Sequence, residues 1–124
     1  MEAYMQAFAG REDFQVLAGS LSNIMTCLKM GGRGGVVSAA NYFPEACARL
    51  LQIFREEGYE AAKAYHEKLQ ALSKQTGAQG GVAGVKAAMN AVGYAGGFPR
   101  LPVLPLSPER EKEIRKAAEA SPLL

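Results

Sequence analysis

The side chains of this chain that could take part in catalysis are few and far apart in the sequence. Among 124 residues there is one histidine, His66, so a Ser-His-Asp set has a single candidate base. His66 lies in a helical pattern beside Glu67 and Lys68, which predicts a solvent-facing histidine on a helix surface. Ser20 and Ser38 follow two short apolar runs, but the sequence identifies no base for either hydroxyl. We therefore expect no catalytic residue of this kind.

One lysine and two cysteines could carry covalent or metal chemistry, but their settings favour structural roles. A buried lysine can form a Schiff base, yet Lys86 lies mid-helix in VAGVKAAMN, far along the chain from the apolar runs. Cys27 and Cys47 lie in apolar helical patterns at a spacing that fits no zinc motif. We expect two free, buried thiols, no metal site and no cofactor.

The glycine cluster GGRGG at 31–35 invites comparison with phosphate-binding loops. A dinucleotide-binding glycine motif follows a strand and opens a helix, whereas this cluster follows a helical pattern and opens a β-type run. It also lacks the Lys-Ser/Thr ending of a P-loop. The cluster predicts a tight helix-to-strand turn.

A strand–helix–strand unit positions these residues. The run FQVLA at 14–18 and the run GVVSA at 35–39 predict two strands, and between them Leu21, Ile24 and Leu28 have the spacing of a core-facing helix. Such a unit implies a right-handed crossover between parallel strands. Parallel strands need neighbours at both edges, and the sequence predicts only these two strands. The predicted sheet is therefore incomplete by itself.

The rest of the sequence predicts helices. One short helix precedes the first strand, three follow the second, and a proline-rich extended stretch leads to a last helix. The predicted bounds are Glu2 to Phe8, Pro44 to Gly58, a second helix to Gly77, Val82 to Gly93, the extended stretch Arg100 to Leu106, and a helix capped by Ser107-Pro108-Glu109 that stops at Ser121-Pro122. The short link at Gly58 predicts that the helices on either side of it form an antiparallel pair.

Composition and charge exclude several classes of partner. The net charge is +2 and the basic residues alternate with acids, so we expect no nucleic-acid partner. No apolar run approaches the length of a membrane span, and no signal peptide is recognisable. A reducing cytoplasmic location is therefore the default expectation.

Three segments, in this order, resemble the dihydrodipicolinate synthase and N-acetylneuraminate lyase family. They are DFQVLAGS at 13–20, GGRGGVVSAANYFP at 31–44 and GVKAAMNAVGYAGGFPRLPVLPLSPE at 84–109. The first two look closest to 4-hydroxy-2-oxoglutarate aldolase-like members. The resemblance covers essentially the whole chain and implies the C-terminal portion of a (β/α)8 TIM barrel, its last two parallel strands, followed by extra helices. Residues 1–43 would be the last β/α units and residues 44–124 the helical part of one partial domain.

The resemblance also implies an activity and a site. Family members are class I aldolases, in which a lysine at the end of strand 6 forms a Schiff base with pyruvate or a related 2-oxo acid. A tyrosine from strand 5 and a loop from strand 2 assist, and all of these would precede Met1. Gly19 matches a pocket-lining glycine, Val36 a residue whose carbonyl faces the substrate, and Ser38 lies nearby, whereas Lys86 matches a non-catalytic position.

Three hypotheses follow. In the first, the chain is a fragment of such an enzyme and is inactive alone, because no iminium can form without the lysine. In the second, it is a non-catalytic half-barrel that completes its sheet by self-association or with a partner chain. In the third and weakest, it is an independent small enzyme that uses Lys86.

Overall fold

The computed structural model describes residues 1–121 and contains six α-helices and two short strands within that range. Their bounds are α1 Glu2–Ala7, β1 Leu17–Ala18, α2 Ile24–Lys29, β2 Gly34–Gly35, α3 Pro44–Glu56, α4 Tyr59–Gln75, α5 Gly81–Ala91 and α6 Pro108–Glu119. Three 3₁₀ turns lie between them, at Leu21–Asn23, Ser38–Asn41 and Ala78–Gly80. The element order confirms the predicted strand–helix–strand unit followed by helices.

The two strands are parallel, as predicted. Leu17 pairs with Gly34 and Ala18 with Gly35. Backbone hydrogen bonds extend this pairing on both sides, from the Arg33 amide to the Val16 carbonyl at 3.2 Å and from the Val36 amide to the Ala18 carbonyl at 2.8 Å. The paired stretch is thus longer than the two residues assigned to each strand.

Both predicted strands were too long. The first was expected over 14–18, but the assigned strand begins at Leu17, and Phe14 instead packs its ring 4.1 Å from that of Phe8. The second was expected over 35–39, but the chain turns at Ser38, where the Asn41 side-chain amide donates to the Ser38 carbonyl at 3.1 Å. Local hydrogen bonds therefore end the second run earlier than its apolar residues suggested.

The helical part shares one hydrophobic core with the strand–helix–strand unit, because α2 packs against α4. Helices α3 and α4 pack against each other, and α6 packs on both α4 and α5. Leu50 of α3, Leu69 of α4 and Ile114 of α6 are fully buried. Tyr42, just before α3, joins this core through a 2.9 Å hydrogen bond between its hydroxyl and that of Ser73.

Helix starts agree with the sequence signals. Pro44 is the first residue of α3, where its missing N–H costs no hydrogen bond. The Ser107 hydroxyl accepts a hydrogen bond from the Arg110 amide at 3.3 Å and caps α6. Ser20 occupies the cap position before the first 3₁₀ turn, but its hydroxyl is paired with that of Ser22. The predicted stop of α6 includes Pro122, which lies outside the described residues.

Within residues 1–121, no helix combines the length and apolar character needed to cross a bilayer.

Candidate functional site

Gly19 and Val36 are brought together at the same end of the two strands. Gly19 follows β1 directly, and the Val36 amide donates to the carbonyl of Ala18, the residue before Gly19. Since parallel strands present their carboxyl ends at one edge of a sheet, both residues lie at the carboxyl end of the strand pair. The structure thus brings together two of the three predicted site residues.

The surface at these strand ends is open. A Cβ built on Gly19 would meet no atom within 4 Å, and Val36 is 74% exposed. Gly19 contributes space and Val36 contributes a backbone carbonyl; neither has a side chain that can transfer a proton. Neither residue can therefore act as a general acid or base.

The glycine cluster at 31–35 forms the tight connection between helix α2 and strand β2. Gly31 and Gly34 have φ of +90° and +152°, values that favour glycine, and they form the predicted helix-to-strand turn. A Cβ on Gly32 would lie 2.3 Å from the Cys27 sulfur, so only glycine fits between α2 and the turn. The Cys27 thiol points at the carbonyl oxygens of Val16 and Gly34, at 3.6 and 3.8 Å.

Ser38 lies on a different surface from Gly19 and Val36. It lines a cleft of about 510 Å³ between its own 3₁₀ turn and helix α5. Most of the lining is apolar, with Ser38, Asn41 and Lys86 as the polar exceptions; the full lining is Ser38, Asn41, Gly77, Ala78, Gly81, Val82, Val85, Lys86 and Met89. The cleft can therefore accept an organic group with few polar atoms.

Lys86 is held by the backbone. Its ammonium donates to the Gly96 carbonyl at 2.7 Å and ties α5 to the glycine-rich turn that follows it. Asn90, one turn further along α5, donates to the Gly97 carbonyl and accepts from the Gly97 amide. These bonds support the structural role expected for Lys86.

The prediction for His66 was wrong. The side chain is 7% exposed, and its Nε2 lies 2.7 Å from the Leu21 carbonyl oxygen. The available signal was the spacing of Ala62, His66 and Leu69, which share the buried face of α4. The charged neighbours of His66 in sequence lie on the exposed face and were misleading.

Both cysteines are free thiols with little tendency to ionise. Cys27 is fully buried and Cys47 is half-buried, less than predicted. Burial raises the pKa of the Cys47 thiol to about 11 and also raises the pKa of Cys27. Across residues 1–121, no three His, Cys, Asp or Glu side chains lie close enough together to hold a metal ion.

Residues 2–121 match the model of the dihydrodipicolinate synthetase family. The chain belongs to this family. The match confirms the resemblance carried by the three sequence segments; the finer likeness to 4-hydroxy-2-oxoglutarate aldolase-like members stays a prediction.

Relatives in this family are longer than the chain. The 4-hydroxy-tetrahydrodipicolinate synthase of Nitrobacter hamburgensis is 31% identical over 120 residues, which are 97% of this chain and 40% of that enzyme. A DapA-like lyase of Thermococcus kodakarensis is 41% identical over 64 residues, 52% of this chain and 22% of that protein. The chain thus spans between a fifth and two fifths of the length of these relatives.

Solved structures of dihydrodipicolinate synthetase family members give the same result for the fold. The N-acetylneuraminate lyase of Aliivibrio salmonicida superposes with a TM-score of 0.82 at 26% identity, over 99% of this chain and 41% of that one. The dihydrodipicolinate synthase of Thermotoga maritima gives 0.79 at 28% identity, over 94% and 40%. The fold is that of the C-terminal portion of a (β/α)8 barrel with its additional helices, as predicted.

Proposed function

We propose that this chain supplies the substrate-facing ends of the last two strands to a Schiff-base aldolase, lyase or synthase acting on pyruvate or a related 2-oxo acid. The observation that carries the proposal is the juxtaposition of Gly19 and Val36 at the open carboxyl ends of a parallel pair. Membership of a Schiff-base aldolase family gives that juxtaposition its chemical meaning. A cytoplasmic location remains the expectation from the sequence.

In this proposal, the chain binds and orients the substrate while the chemistry is done by groups outside it. Gly19 leaves room for the 2-oxo acid, and the Val36 carbonyl faces it. The Ser38 hydroxyl lies in a separate, largely apolar cleft, so the proposal gives it no contact with the 2-oxo acid held at Gly19 and Val36. The Schiff-base amine comes from the lysine at the end of strand 6 in the complete barrel, because Lys86 is engaged by the Gly96 carbonyl.

The 124 residues alone should therefore form no covalent adduct with pyruvate. Borohydride reduction in the presence of pyruvate, followed by intact-mass measurement, is expected to leave the mass unchanged. A reduced adduct that disappears in Lys86→Arg would establish the small-enzyme hypothesis instead.

A chimera tests the positive part of the proposal. In the chimera, this chain replaces the region of the Nitrobacter hamburgensis synthase that aligns with it; the alignment covers 97% of this chain. The chimera should be trapped by pyruvate and borohydride at the synthase's own lysine, and Gly19→Phe should abolish trapping by filling the open space. Lys112→Ala, at an exposed position of α6, is the control and should trap normally. A folded Gly19→Phe chimera that traps as well as the control would contradict the proposal.

A second candidate function is assembly through the strand edges. Leu17 and Val36 are apolar and 51% and 74% exposed on a sheet of two strands, a surface that favours pairing with another copy. Light scattering should then show concentration-dependent oligomers, and the double variant Leu17→Lys, Val36→Lys should be monomeric. Val82→Lys, at an apolar position 59% exposed on α5, is the control and should still associate. A clean monomer at high concentration would exclude this candidate.

A further inference from the structure

His66 makes a buried hydrogen bond between two parts of the chain that are distant in sequence. It lies in the middle of α4, 45 residues after Leu21, and its Nε2 is 2.7 Å from the Leu21 carbonyl oxygen. A carbonyl oxygen only accepts hydrogen bonds, so Nε2 must carry the proton. In the neutral ring, the bond therefore selects the Nε2–H tautomer.

The bond ends in the turn that follows β1. Leu21 opens the 3₁₀ turn Leu21–Asn23, two residues after Gly19. Its carbonyl accepts from the Ile24 amide within the turn as well as from His66, so both of its lone pairs are used. The bond thus acts on backbone that is continuous with the proposed substrate-facing position.

The other hydrogen bonds of this turn are local. The Asn23 amide donates to the Ser20 carbonyl at 3.2 Å, and the hydroxyls of Ser20 and Ser22 are paired at 3.0 Å. The bond from His66 differs from these local bonds, because it is made by a side chain of α4, an element outside the turn. It links the strand–helix–strand unit to the helical part.

We infer that His66 is a positioning residue: its Nε2–H holds the Leu21 carbonyl and thereby sets the backbone of the Leu21–Asn23 turn. The role of this turn in substrate binding rests on the proposed function, but the link between His66 and the turn does not. Helix α4 is anchored by fully buried residues such as Ala62 and Leu69, so it provides a fixed point for the turn. A histidine in the helical part thus orders one wall of the proposed site.

Amide hydrogen exchange of the 124-residue chain tests the inference. In His66→Leu, the amides of Asn23 and Ile24 should exchange roughly three to ten times faster, the effect expected from the loss of one hydrogen bond. In His66→Gln, whose side-chain amide can donate from a similar position, the rates should return to within about twofold of the original. The Val92 amide, bonded to the Ala88 carbonyl at the end of α5, serves as an internal control and should be unchanged.

Two results would overturn the inference. One is exchange that rises equally at the turn and at Val92, or equally in both variants, because a residue that only fills the core would behave in this way. The other is an imidazole nitrogen spectrum of the unsubstituted chain with the proton on Nδ1 and no coupling to the Leu21 carbonyl carbon. The spectrum needs no variant, so it decides the question even if His66→Leu fails to fold. Failure of the chimera to trap pyruvate would refute the proposed function and leave these outcomes unaffected.

Discussion

The strand–helix–strand unit and the helical part of this chain differ in how far they bury their apolar side chains. In the strand unit, Leu17 and Val36 are half exposed or more, although they belong to parallel strands, which are normally covered on both faces. In the helical part, Leu50, Leu69 and Ile114 are fully buried by neighbouring helices of the same chain. We call the buried contacts between these helices the closed part of the molecule and the exposed strand pair the open part, although Val82 on α5 is also 59% exposed.

The difference reflects where helices and strands find the partners for their backbone hydrogen bonds. A helix makes its hydrogen bonds internally and needs neighbours only for its apolar stripe, which short loops bring close. A strand needs a partner at each edge, and here β1 and β2 have only each other within the described residues. Both proposals, substrate binding and assembly with a second copy, use the surfaces left open in this way.

The largest effect should come from the closed part. Leu50→Ala removes a fully buried side chain of α3 from the core and should lower the free energy of unfolding by about 2–5 kcal/mol. Leu17→Ala, at a strand position 51% exposed, should change it by about 0.5 kcal/mol or less. Urea unfolding followed by circular dichroism measures both. Equal losses would mean that the strand unit is as closed as the helical part.

A smaller effect should come from the packing behind the strands. Gly32→Ala would place a Cβ 2.3 Å from the Cys27 sulfur and 2.9 Å from the Cys27 carbonyl oxygen, which forces α2 away from the turn. We expect a loss of roughly 1–3 kcal/mol in the free energy of unfolding, as for other overpacked sites. Gly19→Ala is the matched control, since its Cβ would meet nothing within 4 Å, and it should be nearly neutral.

The two glycine variants also test how tightly each side of the strand unit is packed. A neutral Gly32→Ala would show that the rear of the strand unit is as loosely packed as its open edge. A destabilising Gly19→Ala would show that the strand ends are covered in solution, and would favour self-association over an open site.

The sequence predicted the helices well because their signals are local. Pro44 at the start of α3 and Ser107 before α6 act on the backbone within one turn. The strand ends were predicted poorly because a strand's length depends on its partner, and the Asn41 bond that ends the second run belongs to a turn with no strong signal of its own. The helix ends and the parallel strand pair could thus be predicted from the sequence, whereas the lengths of the strands could not.

The candidate site was predicted only through the family resemblance. No property of Gly19 or Val36 marks a substrate pocket, since one lacks a side chain and the other contributes a backbone atom. His66 shows the converse: its position on the buried stripe was present in the sequence, but its carbonyl partner lies 45 residues away and cannot be found by periodicity.

The smallest effect concerns the closed part at high pH. Burial raises the pKa of the Cys47 thiol from its ordinary value of 9.0 to about 11, so the folded protein keeps this proton over a range in which the unfolded chain loses it. Stability from the neutral thiol is complete below about pH 9 and is lost as the pH rises towards 11. Between pH 8 and 10, the unsubstituted chain should lose up to about 1 kcal/mol more than Cys47→Ala, because solvent screens part of the effect at this half-buried thiol. Buried Tyr42 titrates in both proteins and does not contribute to the difference. Parallel curves for the two proteins would mean that Cys47 is solvated, and that α3 is less closed than its neighbours indicate.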